Sequence, residues 1–142
     1  AEIISYNKVN QLRHARYLQN KAHTLELMKK HAAILGPKFR LVVETLRREV
    51  GPLEICRWTE PKGGYFVSFY GMDGTAKRIF NLMKEAGVVM TSAGAAFPYG
   101  QDPHDNHIRI APSLPPLEEL EQAISVFCLC VKIASLEKLL EA

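Results

Sequence analysis

Arg109 is the residue in this sequence best placed to do chemistry. It stands between Ile108 and Ile110 at the end of the stretch Val88 to Leu114, Val-Val-Met-Thr-Ser-Ala-Gly-Ala-Ala-Phe-Pro-Tyr-Gly-Gln-Asp-Pro-His-Asp-Asn-His-Ile-Arg-Ile-Ala-Pro-Ser-Leu. Alternation of that kind predicts a short strand with both isoleucines on one face and the guanidinium on the other. A fixed, permanently charged fork of N–H donors suits the bidentate capture of a planar carboxylate. On its own, an arginine on a strand is ordinarily a solvated or salt-bridged surface residue. The long connection before it carries aromatic and proline anchors, Phe97, Pro98, Tyr99 and Pro103, which predict an ordered loop, and loops of that length inside a domain tend to be functional.

The elements that must position this stretch follow from periodicity. Apolar residues at Val9, Leu12, Ala15, Leu18, Ala22, Leu25, Met28, Ala32 and Leu35 predict one helix from Asn7, a good N-cap, to Leu35, with Gly36-Pro37 as its stop. At about 1.5 Å per residue it would span roughly 40 Å, more than a small domain needs, so part of it is expected to lie against something outside this chain. A second helix is predicted over Pro37 to Val50, with Phe39, Val42, Val43, Leu46 and Val50 on one face. Leu53 to Trp58 and Tyr65 to Tyr70 read as two strands of a hairpin around the turn-rich Thr59 to Gly64. Thr75 to Ala86 reads as a third helix with Gly87 at C′, followed by a strand Val88 to Met90 and an expected parallel crossover. Pro112 to Pro116 opens a last helix reaching about Leu140, with Glu118, Glu119 and Glu121 near its positive end. The order α-α-β-β-α-β-β-α predicts a single α+β domain, residues 1–142, with helices mostly on one face of a small mixed sheet.

Composition narrows the class. The 142 residues are 47% hydrophobic and 23% charged, as in an ordinary soluble globular domain. A net charge of +3, spread along the chain, is too weak and dispersed for a nucleic-acid partner. Three cysteines, an odd count with Cys128 and Cys130 two apart on a helix, argue against a disulfide framework and for a reducing cytoplasmic setting. The histidines lack metal-ligand spacing with the cysteines, and no apolar run is long enough to cross a bilayer. The apolar start Ala1-Glu2-Ile3-Ile4, entering a helix without methionine, is read as a piece cut from a longer chain.

Several blocks occur in a telling order: Pro61-Lys62-Gly63-Gly64-Tyr65-Phe66-Val67-Ser68, Glu85-Ala86-Gly87-Val88, Ala93-Gly94-Ala95 with Phe97-Pro98-Tyr99-Gly100, and Asn106-His107-Ile108-Arg109-Ile110-Ala111-Pro112. Over nearly its whole length the chain resembles the C-terminal small domain of a pyridoxal-phosphate-dependent aminotransferase of class I/II, fold type I, within the bacterial MocR-like aspartate aminotransferase group. Ser92 departs from the proline of that pattern, which bears on the rigidity of the loop. The resemblance implies an amino acid:2-oxo acid transaminase that is a homodimer as a whole protein. Its large domain would hold pyridoxal phosphate, the lysine that carries it, the aspartate on its pyridine nitrogen and the phosphate cup. None of the ten lysines here lies in the Ser-x-x-Lys-like context of that lysine. The element that does map onto this chain is the arginine that grips the substrate α-carboxylate, Arg109. Tyr99 and Asn106 either line the pocket or pack the loop. Gly63 and Gly64 either let backbone approach the site or form a plain turn, and His107 is expected to pack or solvate beside Arg109. No bound cofactor, metal, nucleic acid or membrane is expected for the chain alone, which is expected to be inactive. A different class of reading is the effector-sensing domain of a MocR-type transcription regulator, a binding module without turnover.

Overall fold

The computed structural model describes residues 7–141. It divides into two compact units, 1–36 and 37–142, each taken separately below.

In the first unit, α1 (Lys8–Leu18) starts where Asn7 accepts the Asn10 amide at 3.0 Å, the N-cap expected from the sequence. The single long helix is not observed. Gln19 takes φ +54° and the chain restarts at Asn20, whose side chain accepts the His23 amide at 3.0 Å and caps α2 (Lys21–Glu49). An asparagine is a strong helix start, and its Oδ1 satisfies one of the amides that a new helix end exposes. No residue of α1 is buried, and Val9, Leu12, Leu25 and Met28 are exposed. Ile3, Ile4 and Tyr6, expected to belong to the same exposed apolar stretch, lie outside the described residues.

The predicted stop at Gly36-Pro37 is also corrected, because α2 runs through it. Proline removes one backbone donor and crowds the preceding turn, at a cost of about 3 kcal/mol in a helix interior. The helix continues because its last turns bury Val42, Thr45 and Leu46 in the core of the second unit. Val50 closes that face, and Gly51–Leu53 forms a 3-10 turn that takes in Leu53, the predicted first residue of a strand.

The second unit is built on a three-stranded sheet in the order β1 (Arg57–Trp58), β2 (Val67–Tyr70), β3 (His107–Ile110). Both pairings are antiparallel, with Trp58 opposite Phe69, Phe69 opposite Ile108, Ser68 opposite Arg109 and Tyr70 opposite His107. The hairpin is thus as expected, with shorter strands. The mixed sheet and the parallel crossover are not. Both edges of β2 are taken by antiparallel neighbours, and Val88 to Met90 forms no strand, with Val89 98% exposed. Its backbone serves α3 (Ala76–Glu85) instead. The Gly87 amide donates to the Lys84 carbonyl at 3.0 Å and the Val88 amide to the Met83 carbonyl at 2.9 Å, a Schellman closure with Gly87 at φ +80°.

Val67, Phe69 and Ile108 are buried on one face of the sheet, where helices cover them. Phe69 meets Phe127 of α4 (Leu117–Leu140) edge to face at 4.9 Å. Leu120, Ile124, Phe127 and Val131 give α4 its expected buried stripe, except that Leu117, predicted as its first member, is exposed, and Ala76, Ile79 and Met83 give α3 its own. Arg78 forks onto Glu137 at 2.7 and 2.8 Å, tying α3 to α4. Cys128 and Cys130 are both buried, and Cys56 half-buried, as free thiols. Burial pushes the Cys56 thiol up to about 11 and the Cys128 thiol to about 12.

Candidate functional site

The opposite face of the sheet presents the polar half of the alternation: Ser68, Tyr70, His107 and Arg109. The loop leading into β3 lies on this face and is held by three aspartates. Asp102 accepts the backbone amides of His104 at 3.0 Å and of Asn106 and His107 at 2.9 Å. Burial pushes its pKa up, but those three donors outweigh it and hold the carboxyl below the ordinary aspartate value. Asp73 accepts from the Asn106 side-chain Nδ2 at 2.7 Å and faces the His104 ring at 3.1 Å. Asp105, at φ +46°, turns its carbonyl and carboxylate onto the Ala76 and Lys77 amides, so the loop caps α3.

His107 is buried, its ring 4.9 Å from Tyr70 and 5.6 Å from Phe97. Loss of solvent lowers its pKa; nearby Asp102 opposes that and Arg109 adds to it. It therefore packs, as expected, pressing Phe97 and the loop against the sheet.

Arg109 is half-buried and unpaired among the described residues. Its Nε is out of reach of solvent without a hydrogen-bond partner, and no described carboxylate lies within salt-bridge range. Its Cζ sits 4.4 Å from the centre of the Phe66 ring. A buried donor left unsatisfied costs about 1–3 kcal/mol, and Arg109 carries such a donor in its Nε. A cleft of about 550 Å³ opens at the end of β3, with Arg109, Thr91, Ser113 and Glu119 among otherwise mainly apolar walls from Val88 to Met90, Ile110 and α4. Lys38 donates to the Ser113 carbonyl at 2.8 Å, which ties α2 to the segment after β3.

The other sequence candidates are not gathered around Arg109. Tyr99 has φ +58° and is 99% exposed, so its ring lines nothing formed by this chain. The Asn106 amide is engaged by Asp73. Gly64 has φ +93° with nothing within 4 Å of where a Cβ would stand, which makes it a turn glycine. Sequence reasoning missed Asp102 and the Phe66 stack. The run Asp102-Pro103-His104 did carry an Asx-turn signal, but no sequence pattern reveals a diagonal contact between strands. Among the described residues no group of histidines, cysteines or carboxylates is arranged to hold a metal ion, and no helix is long and apolar enough to cross a membrane.

Comparison with known proteins places this arrangement. An aspartate aminotransferase of Corynebacterium glutamicum is 47% identical over 134 residues, covering 94% of this chain and 31% of that protein. The crystal structure of an aspartate transaminase from the same species superposes with a TM-score of 0.89 at 47% identity, covering 95% of this chain and 32% of the other. The α-aminoadipate aminotransferase of Thermus thermophilus, solved with N-(5'-phosphopyridoxyl)-L-leucine, shares the fold with a TM-score of 0.66 at 22% identity, over 80% of this chain and 30% of its own. The chain thus spans about a third of the length of the relatives it matches. The family model described as aspartate amino-transferase matches residues 1–142, and the chain belongs to that family.

Proposed function

We propose that this chain is the small domain of a pyridoxal-phosphate-dependent aminotransferase of the aspartate type, of the MocR-like group, and that Arg109 grips the α-carboxylate of the amino acid and of the 2-oxo acid. The observation that carries the reading is a guanidinium held on a braced strand with its donors unspent. Two parallel N–H···O bonds from such a fork fix both the position and the plane of a carboxylate. The substrate Cα is thereby oriented, and orientation of this kind can supply several kcal/mol of a barrier.

The residues present do not fit the cofactor itself. The cleft at Arg109 contains no lysine amine, and Lys38 is turned to the Ser113 carbonyl. Pyridoxal phosphate, which serves as an electron sink when bound, is assigned to the remaining two-thirds of the parent, and the isolated chain is inactive. The exposed apolar positions Val9, Leu12, Leu25 and Met28 are assigned to contact with that part. The parent is a cytoplasmic homodimer in this reading. The enzyme is favoured over an effector-sensing regulator because the relatives above are named as transaminases.

The test is Arg109→Ala in the full-length protein. It is expected to lower kcat/KM for L-aspartate by the ~2–5 kcal/mol lost when one partner of a close charge pair is removed, with the cofactor's absorbance spectrum unchanged. Unaltered turnover would return Arg109 to a structural role.

A further inference from the structure

We propose that Phe66 is a positioning residue for Arg109, holding the guanidinium against its ring so that the terminal in-plane donors stay free for a carboxylate. This rests on the reading of Arg109 as the carboxylate clamp. The five N–H bonds of a guanidinium lie in its plane, and an aromatic ring attracts it along the perpendicular. A carboxylate of the same chain would immobilise the side chain equally well but would occupy two of those donors. An aromatic ring occupies none. The Arg109 Cζ lies 4.4 Å from the Phe66 centroid, and no described residue forms an ion pair with it.

The register explains why Phe66 is the residue that does this. Ser68, with only a hydroxymethyl side chain, stands directly opposite Arg109. Phe66, the residue just before β2, lies two positions back from Ser68, a diagonal neighbour of Arg109 within reach of a long side chain. The turn at Gly64, with φ +93°, brings the chain into β2 just before it. Phe66 itself is 44% exposed, more than its role as a core residue would explain. The same face carries a second stack of this type, Arg57 over Tyr70 at 4.1 Å, but Tyr70 is turned toward the His107 ring and the loop, and Arg57 is exposed. That pair serves as an internal control.

The experiment uses the full-length aminotransferase, with succinate as a probe that carries carboxylates but no amine. Phe66→Leu keeps apolar volume and removes the aromatic face. It is expected to raise the KM for L-aspartate and the Ki of succinate together, roughly tenfold, as loss of a partly desolvated cation–π contact implies. The value of kcat should fall less, and Phe66→Tyr should restore both constants. Arg57→Gln should leave them unchanged. Wild-type KM and Ki in Phe66→Leu, or a loss in Phe66→Tyr equal to that in Phe66→Leu, would overturn the proposal. Should Phe66→Leu fail to fold, Phe66→Met is measured in its place against the same two outcomes. The two readings fail separately: normal turnover in Arg109→Ala removes the clamp itself, whereas a disabled Arg109→Ala with a silent Phe66→Leu removes only the stack.

Discussion

The carboxylate of Asp102 holds the backbone amide of His107 at 2.9 Å, two residues before Arg109. The same oxygen receives the Asn106 amide and the other oxygen that of His104. One side chain thus gathers three backbone amides at the end of the loop, where β3 begins.

Asp102→Ala leaves three backbone donors to find other partners at once. Hydrogen bonds to a charged acceptor contribute about 1.5–3 kcal/mol each, though their losses are not additive. A destabilisation of about 2 kcal/mol or more is expected in urea unfolding, with fast amide exchange at His104, Asn106 and His107. Asp102→Asn, which keeps one acceptor oxygen, should fall between. Wild-type exchange at those three amides in the alanine variant would show that the loop is held elsewhere.

A second constraint acts within the loop. Gly94 has φ +82°, and a Cβ placed there would overlap the Gly100 carbonyl. Both the dihedral and the contact with backbone forbid a side chain, and backbone cannot swing aside as a side-chain tip can. Gly94→Ala is expected to cost at least about 1–3 kcal/mol, the range for a residue forced into a sparsely populated backbone region. It should also weaken carboxylate binding in the full-length protein, since the loop presses on β3 through Phe97 and His107. Gly100→Ala, where a Cβ meets nothing within 4 Å, keeps the strain of φ +70° without the overlap and should cost less. Equal effects of the two substitutions would argue against the overlap as the cause.

What could be read from the sequence depended on how local its cause was. The N-cap at Asn7, the Schellman glycine at Gly87 and the stripe of α4 are each set by residues within a turn or two, and each appeared as expected. The break at Gln19-Asn20 was hidden because Leu18 and Ala22 are four apart, so the apolar stripe keeps its phase across it. Gly36-Pro37 misled in the other direction. Its local signal for a stop is strong, and the burial of Val42, Thr45 and Leu46 overrides it. Val88 to Met90 has the composition of a strand, yet no strand of the described sheet has an edge paired to it. Arg109 stood out because alternation between two isoleucines and an ordered set of family blocks pointed to the same position. The Phe66 stack depends on which residue faces Arg109 across the sheet, which only the register supplies.

His107 gives the fold a pH dependence whose sign can be worked out. Its pKa is lowered in the folded chain, chiefly by burial, from an ordinary value of 6.5. Below 6.5 the unfolded chain takes up a proton on this ring before the folded chain does, so protons favour unfolding. Stability from this group is fully present above 6.5 and is lost as the pH falls through the folded value. Asp102 and Asp73, held below the ordinary carboxylate value of 3.8, add a second loss only under stronger acid. Urea midpoints measured from pH 8 to pH 5 should therefore decline from about neutrality downward in the wild type. In His107→Phe, which keeps an aromatic ring against Tyr70 and Phe97 and cannot titrate, the decline over that range should flatten while the loss near pH 4 and below remains. Parallel curves for the two proteins between pH 7 and pH 5 would mean that the imidazole at the base of the Arg109 strand is not the group that titrates.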